Sequence, residues 1–150
     1  MDRLNKTVWI CVIAVLAIVG CILILEHYIL APPVWIGFSP DHAWEAKMYQ
    51  TREGSAQVYD GNIHWRGSES DAKKVIVTQI QCWKNGQIVV DGKDKERISP
   101  ALGFGGIDKP KDSDHLKTVI YWTVNGKPHS AVIQLKEQSG LQYKLSSAFH

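Results

Sequence analysis

Asp41, His42 and Asp114 are the side chains best suited to acid–base chemistry in this chain, and they lie far apart in the sequence. His42, His64, His115 and His129 lack the short spacings that bring imidazoles onto one metal ion. Asp108, Asp112 and Asp114 offer oxygen ligands, but Lys109 and Lys111 interrupt them, and the glycine and glutamate positions of a calcium-binding loop are absent. No metal and no cofactor is expected. Gly37-Phe38-Ser39-Pro40 lacks the second glycine of a nucleophile elbow and reads as a structural turn. Gly103-Phe104-Gly105-Gly106 lacks the Lys-Ser/Thr of a phosphate-binding loop and reads as a tight turn or bulge.

The three cysteines exclude a disulfide framework and a four-cysteine zinc site, because Cys11 and Cys21 sit in an apolar run and only Cys82 lies beyond it. Strand alternation puts Cys82 on one face with Ile76 and Ile80, as a small buried hydrophobe. Trp35, Trp44, Trp65, Trp83 and Trp122 are expected to pack mostly in a core, with Trp83, beside a hairpin turn, as the exposed candidate.

These residues must be held by what lies around them, and the chain begins with a membrane signal. Val8 to Leu25 carries no charge and makes a helix of roughly 27 Å, close to the ~30 Å hydrocarbon core. Arg3 and Lys6 precede it and no Lys or Arg follows until Lys47, so the positive-inside bias places the N-terminus in the cytoplasm and the rest outside. The organisation expected is a cytoplasmic tail over 1–7, a transmembrane anchor over 8–30, a linker over 31–41 containing Ala31-Pro32-Pro33, and an extracytoplasmic β domain over 42–150. Ile18-Val19-Gly20-Cys21 is similar to a bacterial lipobox, which makes Cys21 a possible lipid attachment point; Ile22 to Leu25, in place of a polar tether, favours a retained span.

Beyond the linker the patterning is all-β. Period-two alternation predicts strands over 43–49, 57–65, 74–83, 87–90, 116–124 and 127–135, with a weaker one over 141–145. Asn85-Gly86 and Asn125-Gly126 are two-residue loops of the type I′ kind, and the second fixes a register of Val124 with Lys127, Ile120 with Ala131, Thr118 with Ile133 and Leu116 with Leu135. That register gathers the apolar residues on one face. Residues 91–115 lose the alternation and are expected to be a long loop pinned by Ile98, Leu102, Phe104 and Ile107. The fold class predicted is a small antiparallel β-sandwich of immunoglobulin-like size, with a small β-barrel as the alternative.

Gly37, Ser39 and Trp44, followed by Gly61-Asn62-Ile63-His64-Trp65-Arg66-Gly67 and the later Tyr121 to Lys127 hairpin, resemble small membrane-anchored or lipoprotein-type extracytoplasmic proteins of Bacillus and related Firmicutes. The resemblance implies an envelope location and a β-fold and transfers no catalytic residue. With 17 basic against 15 acidic residues interspersed along the chain, no nucleic-acid partner is expected. The reading is a membrane-anchored extracytoplasmic binding or interaction module with no catalysis, contacting an envelope protein or wall polymer through Trp83, Phe104 and Ile107. Two alternatives stand beside it: an envelope-acting hydrolase or transferase using Asp41, His42 or Asp114, and an accessory subunit that uses the small residues Gly20 and Cys21 of the helix as its interface.

Overall fold

The computed structural model describes residues 2–24, 32–53, 56–93, 95–98 and 101–148. In chain order these form α1 (Asp2–Ile24), β1 (Val34–Phe38), β2 (Trp44–Glu53), β3 (Ala56–Trp65), α2 (Glu69–Ala72), β4 (Val75–Lys84), β5 (Gln87–Gly92), β6 (Glu96–Arg97), β7 (Ala101–Asp108), β8 (Leu116–Val124), β9 (Lys127–Gln138) and α3 (Gly140–Ala148). The chain divides into two units, Met1–Pro32 with Ser139–His150, and Pro33–Gln138.

In the first unit, α1 exposes Val8, Trp9, Ile10, Ile13, Leu16 and Leu23 among other apolar side chains. Among the described residues no helix is long and apolar enough to cross a membrane. The apolar side chains described run from Val8 to Ile24, and residues 25–30 of the expected anchor lie outside the described set. α3 replaces the strand expected over 141–145. Leu141 and Leu145 are spaced four apart, which satisfies a helix as well as alternation, and Ser139 caps the start by accepting from the Gln142 amide at 3.2 Å.

The second unit is one antiparallel sheet in the order β5-β4-β8-β9-β1-β2-β3-β7, with β6 pairing β4 beyond the end of β5. The end strands β5 and β7 come close to one another, so the sheet curls into a nearly closed barrel rather than the sandwich expected. The reason lies in β1. Residues 34–38, expected within a linker, pair with β2 on one side and β9 on the other, joining what would otherwise be two sheets. A Cβ on Gly37 would stand 2.1 Å from the Gln134 carbonyl oxygen, so glycine is what permits β1 to approach β9 there.

The hairpin register read from Asn125-Gly126 is the one observed, and Asn85, Gly86, Asn125 and Gly126 all have positive φ as type I′ turns require. The long loop expected over 91–115 instead contains β6 and β7. Along β7, Leu102 and Phe104 face inward, Gly105 and Gly106 form a bulge opposite the single residue Asp60, and Ile107 turns inward again. The extra residue breaks the period of two and hides the strand from pattern reading. A bulge in β4 between Val77 and Gln79 acts likewise: Val75, Val77, Ile80 and Cys82 are buried, and Ile76 is not on their face.

The barrel is filled. Trp44 is fully buried and meets Trp65 edge-on at 4.9 Å and Trp122 at 5.2 Å, while Trp35 meets Tyr59 edge-on at 5.2 Å. Such pairs contribute about 0.5–1.5 kcal/mol each beyond the area they bury. Trp44→Ala is therefore expected to destabilise the barrel by about 3–5 kcal/mol, read as a lower midpoint in chemical denaturation of the full chain.

Candidate functional site

The barrel has a seam. Among the described residues β7 pairs only with β3, and β5 and β6 pair only with β4, so two strand edges unpaired within that set face each other where the ring of strands fails to close. A cavity of about 70 Å³ opens there, lined by Val77 and Ile80 from β4, Gly92 from β5, Glu96 from β6, and Leu102, Gly103 and Phe104 from β7. Among the described residues its walls are apolar side chains and glycine backbone, with the exposed Glu96 as the one charged group. No hydrogen bond or ion pair engages Glu96 among the described residues. Glu96 pairs across the sheet with buried Val77 and is itself exposed, so it stands at the rim of the cavity.

Phe104 and Ile107 were expected on a contact surface, but each is 7% exposed and belongs to the core. The Phe104 ring lies over Gly61, where a Cβ would come within 1.8 Å of it, and so serves the site as a wall of the cavity from inside the barrel. Trp83, on the outward face of β4, is half-buried, with the Lys117 ammonium 4.7 Å from its ring centroid. It pairs across the sheet with Ile88, which is exposed with Val89 on β5. Cys21 is exposed on α1, away from the barrel unit in sequence.

The acid–base candidates are not brought together. Asp41 and His42 form the β1–β2 turn, where Ser39 donates to the Asp41 carboxylate at 2.5 Å, Asp41 accepts from the Ala43 amide, and the Trp44 amide donates to Ser39 Oγ at 2.9 Å. These bonds, the Ser39 hydroxyl foremost, hold the Asp41 carboxyl below its ordinary range. Ser39 is thus a turn residue, as its motif indicated. Asp114 lies at the opposite end of the barrel, where it accepts from the Lys111 amide and the Asn85 side chain, each at 2.8 Å, and pairs with Lys84 at 3.0 Å. The Lys111 amide, Asn85 and Lys84 together hold its carboxyl far below the ordinary range. This network ties the β7–β8 connection to the β4–β5 turn. His129 is exposed and stacks on Trp122 at 5.6 Å, and no group of three or more His, Cys, Asp or Glu that suits a metal occurs among the described residues.

The family described as a domain of unknown function, DUF4944, matches residues 31–106, just over half of the chain. This chain belongs to the DUF4944 family. The DUF4944 segment runs from β1 into β7 and contains every residue that lines the seam cavity, together with Ser39, Trp44, Trp65 and the two glycines, Gly61 and Gly67, on which aromatic rings rest. β8 and β9 lie beyond the match. No curated protein and no solved structure matches the chain.

Sequence reasoning named Phe104 as a site residue but missed Glu96 and Gly92, because their approach to β7 depends on barrel curvature. Two expectations follow from the geometry. A depressed carboxyl pKa contributes stability that is present above the ordinary Asp value of about 3.9 and is lost as pH falls through the folded value. Asp114→Asn is therefore expected to lower the denaturation midpoint at pH 7 and pH 5, with the gap to the parent protein shrinking as pH falls below about 3.9. Burial pushes the Cys82 thiol up to about 11. In a Cys11→Ser/Cys21→Ser background, a thiol reagent at pH 8 should modify Cys82 only after denaturant is added.

Proposed function

We propose that this DUF4944 protein is a membrane-anchored, non-catalytic binding module: α1 holds it in the cell membrane with the N-terminus in the cytoplasm, and the barrel outside takes a ligand or envelope partner at its seam. The anchoring is carried by the character of the helix. Trp9 is 67% exposed, and the apolar side chains of α1 are exposed right round the helix, the pattern of a helix solvated by lipid rather than by water. At about 1.5 Å per residue its 23 residues extend roughly 34 Å. The helix runs without interruption through Cys21, so lipid attachment there requires cleavage within α1. The resemblance to anchored extracytoplasmic proteins of Bacillus and related Firmicutes belongs to the same reading.

Binding is supported by the seam, where apolar surface, unpaired backbone and an unpartnered carboxylate converge within the matched family segment. The wide separation of Asp41 and His42 from Asp114 gives the hydrolase alternative no common pocket to act in. In membranes from expressing cells, the full chain is expected to resist alkaline carbonate extraction, to have the intact mass of the uncut chain, and to lose its barrel to protease added outside protoplasts. Release by carbonate, or protection of the barrel from external protease, contradicts the anchored orientation. A mass that corresponds to a chain beginning at an acylated Cys21 replaces the span with a lipid anchor.

A further inference from the structure

We infer that α3 is a second membrane contact, a short helix that lies along the outer leaflet of the bilayer and seats Leu141 and Leu145 among anionic phospholipids. This rests on the reading of the protein as membrane-anchored and assigns a lipid surface to a helix outside the barrel strands. α3 is capped by its own chain: Ser139 Oγ accepts from the Gln142 amide at 3.2 Å, and the Ser139 carbonyl accepts from the Tyr143 amide at 3.0 Å. Leu141 and Leu145, four apart on one face, are 37% and 48% exposed. Gly140 is buried and Tyr143, which helical spacing places opposite the leucines, is half-buried. A surface helix in water turns its leucines inward and its small and polar residues outward. α3 has the reverse orientation, with its most apolar side chains facing away from the rest of the chain.

Position selects the occupant. Val34 pairs with Gln138, so the chain enters and leaves the barrel side by side, and α3 begins two residues later. The connection from α1 to Val34 is residues 25–33, and nine residues span at most roughly 30 Å. α3 is therefore tethered close to the leaflet from which α1 emerges. A tether makes docking intramolecular, so two leucines that would not hold a free helix on a membrane suffice here. Charge agrees, since α3 and the residues after it contain Lys144 and neither Asp nor Glu to repel anionic lipid. In the sequence Phe149 follows Leu145 at the same spacing of four.

The test uses the full chain with Cys11→Ser and Cys21→Ser, reconstituted into phosphatidylcholine–phosphatidylglycerol vesicles. Leu145→Cys or Tyr143→Cys carries a maleimide-linked NBD fluorophore, while Cys82, being buried, stays unlabelled. Lipids with a nitroxide near the acyl carbonyl should quench the label at 145 about threefold more than the label at 143. Leu141→Glu, a helix former at an exposed position, should bring quenching at 145 down to the level at 143. Equal quenching at the two positions, or no effect of Leu141→Glu, overturns the proposal. Shielding of 145 from aqueous iodide without nitroxide quenching means that protein covers this face, and overturns it as well. A label at Ala17→Cys, read with a nitroxide at the middle of the acyl chain, tests the anchor separately. Quenching at 17 with none at 145 overturns the α3 contact and leaves the anchor standing, whereas no quenching at 17 overturns both.

Discussion

Three register pairs, Val34 with Gln138, Trp35 with Glu137 and Ile36 with Lys136, hold this architecture together. Without them β1, β2, β3 and β7 form one sheet and β4, β5, β6, β8 and β9 another, and the two apolar faces would stack as a sandwich. With them the strands continue around a single interior, and the surplus curvature appears as one gap between β5 and β7. The seam is therefore a consequence of where the two sheets are joined. Gly37 carries part of that constraint, since any larger residue would collide with the β9 backbone.

The interior shows the same dependence. Trp44 touches Trp65 on the neighbouring strand and Trp122 across the barrel, so one side chain spans both halves of the sheet. Around it the Ser39–Asp41 turn closes the β1–β2 connection, and Arg66 pairs with Glu45 at 2.7 Å and lies over the Phe38 ring at 5.6 Å. Tyr59 Oη and Thr118 Oγ1 are buried with no hydrogen-bond partner among the described residues, and burial, with Glu137 adding to it, raises the Tyr59 pKa. Each such atom costs the barrel free energy that the apolar packing around it must offset.

Sequence patterning recovers much of this where one strand face is buried and the period is unbroken. β8, β9 and their turn are legible to the residue, since Asn125-Gly126 sets a register that the apolar positions then obey. It fails in three identifiable places. β1 is a central strand whose consecutive apolar residues carry no alternation, β7 changes phase at a bulge, and α3 places leucines where both periods fit. The seam was legible only as Phe104; Glu96 and Gly92 reach it through curvature, a property of the whole sheet rather than of any window of residues.

The position of β1 also sets the order in which the barrel can form. It is the first strand to leave the ribosome, yet one of its partners, β9, is the last, so the sheet stays open along Val34 to Ile36 until synthesis has passed Gln138. Closure joins the most distant parts of the unit and carries the entropy of the largest loop in it. The local hairpins β2–β3 and β8–β9 can form beforehand, which makes this a slow-closing topology assembled from fast pieces. Until closure, the apolar residues of β1 depend on whatever receives the emerging chain for shelter from aggregation.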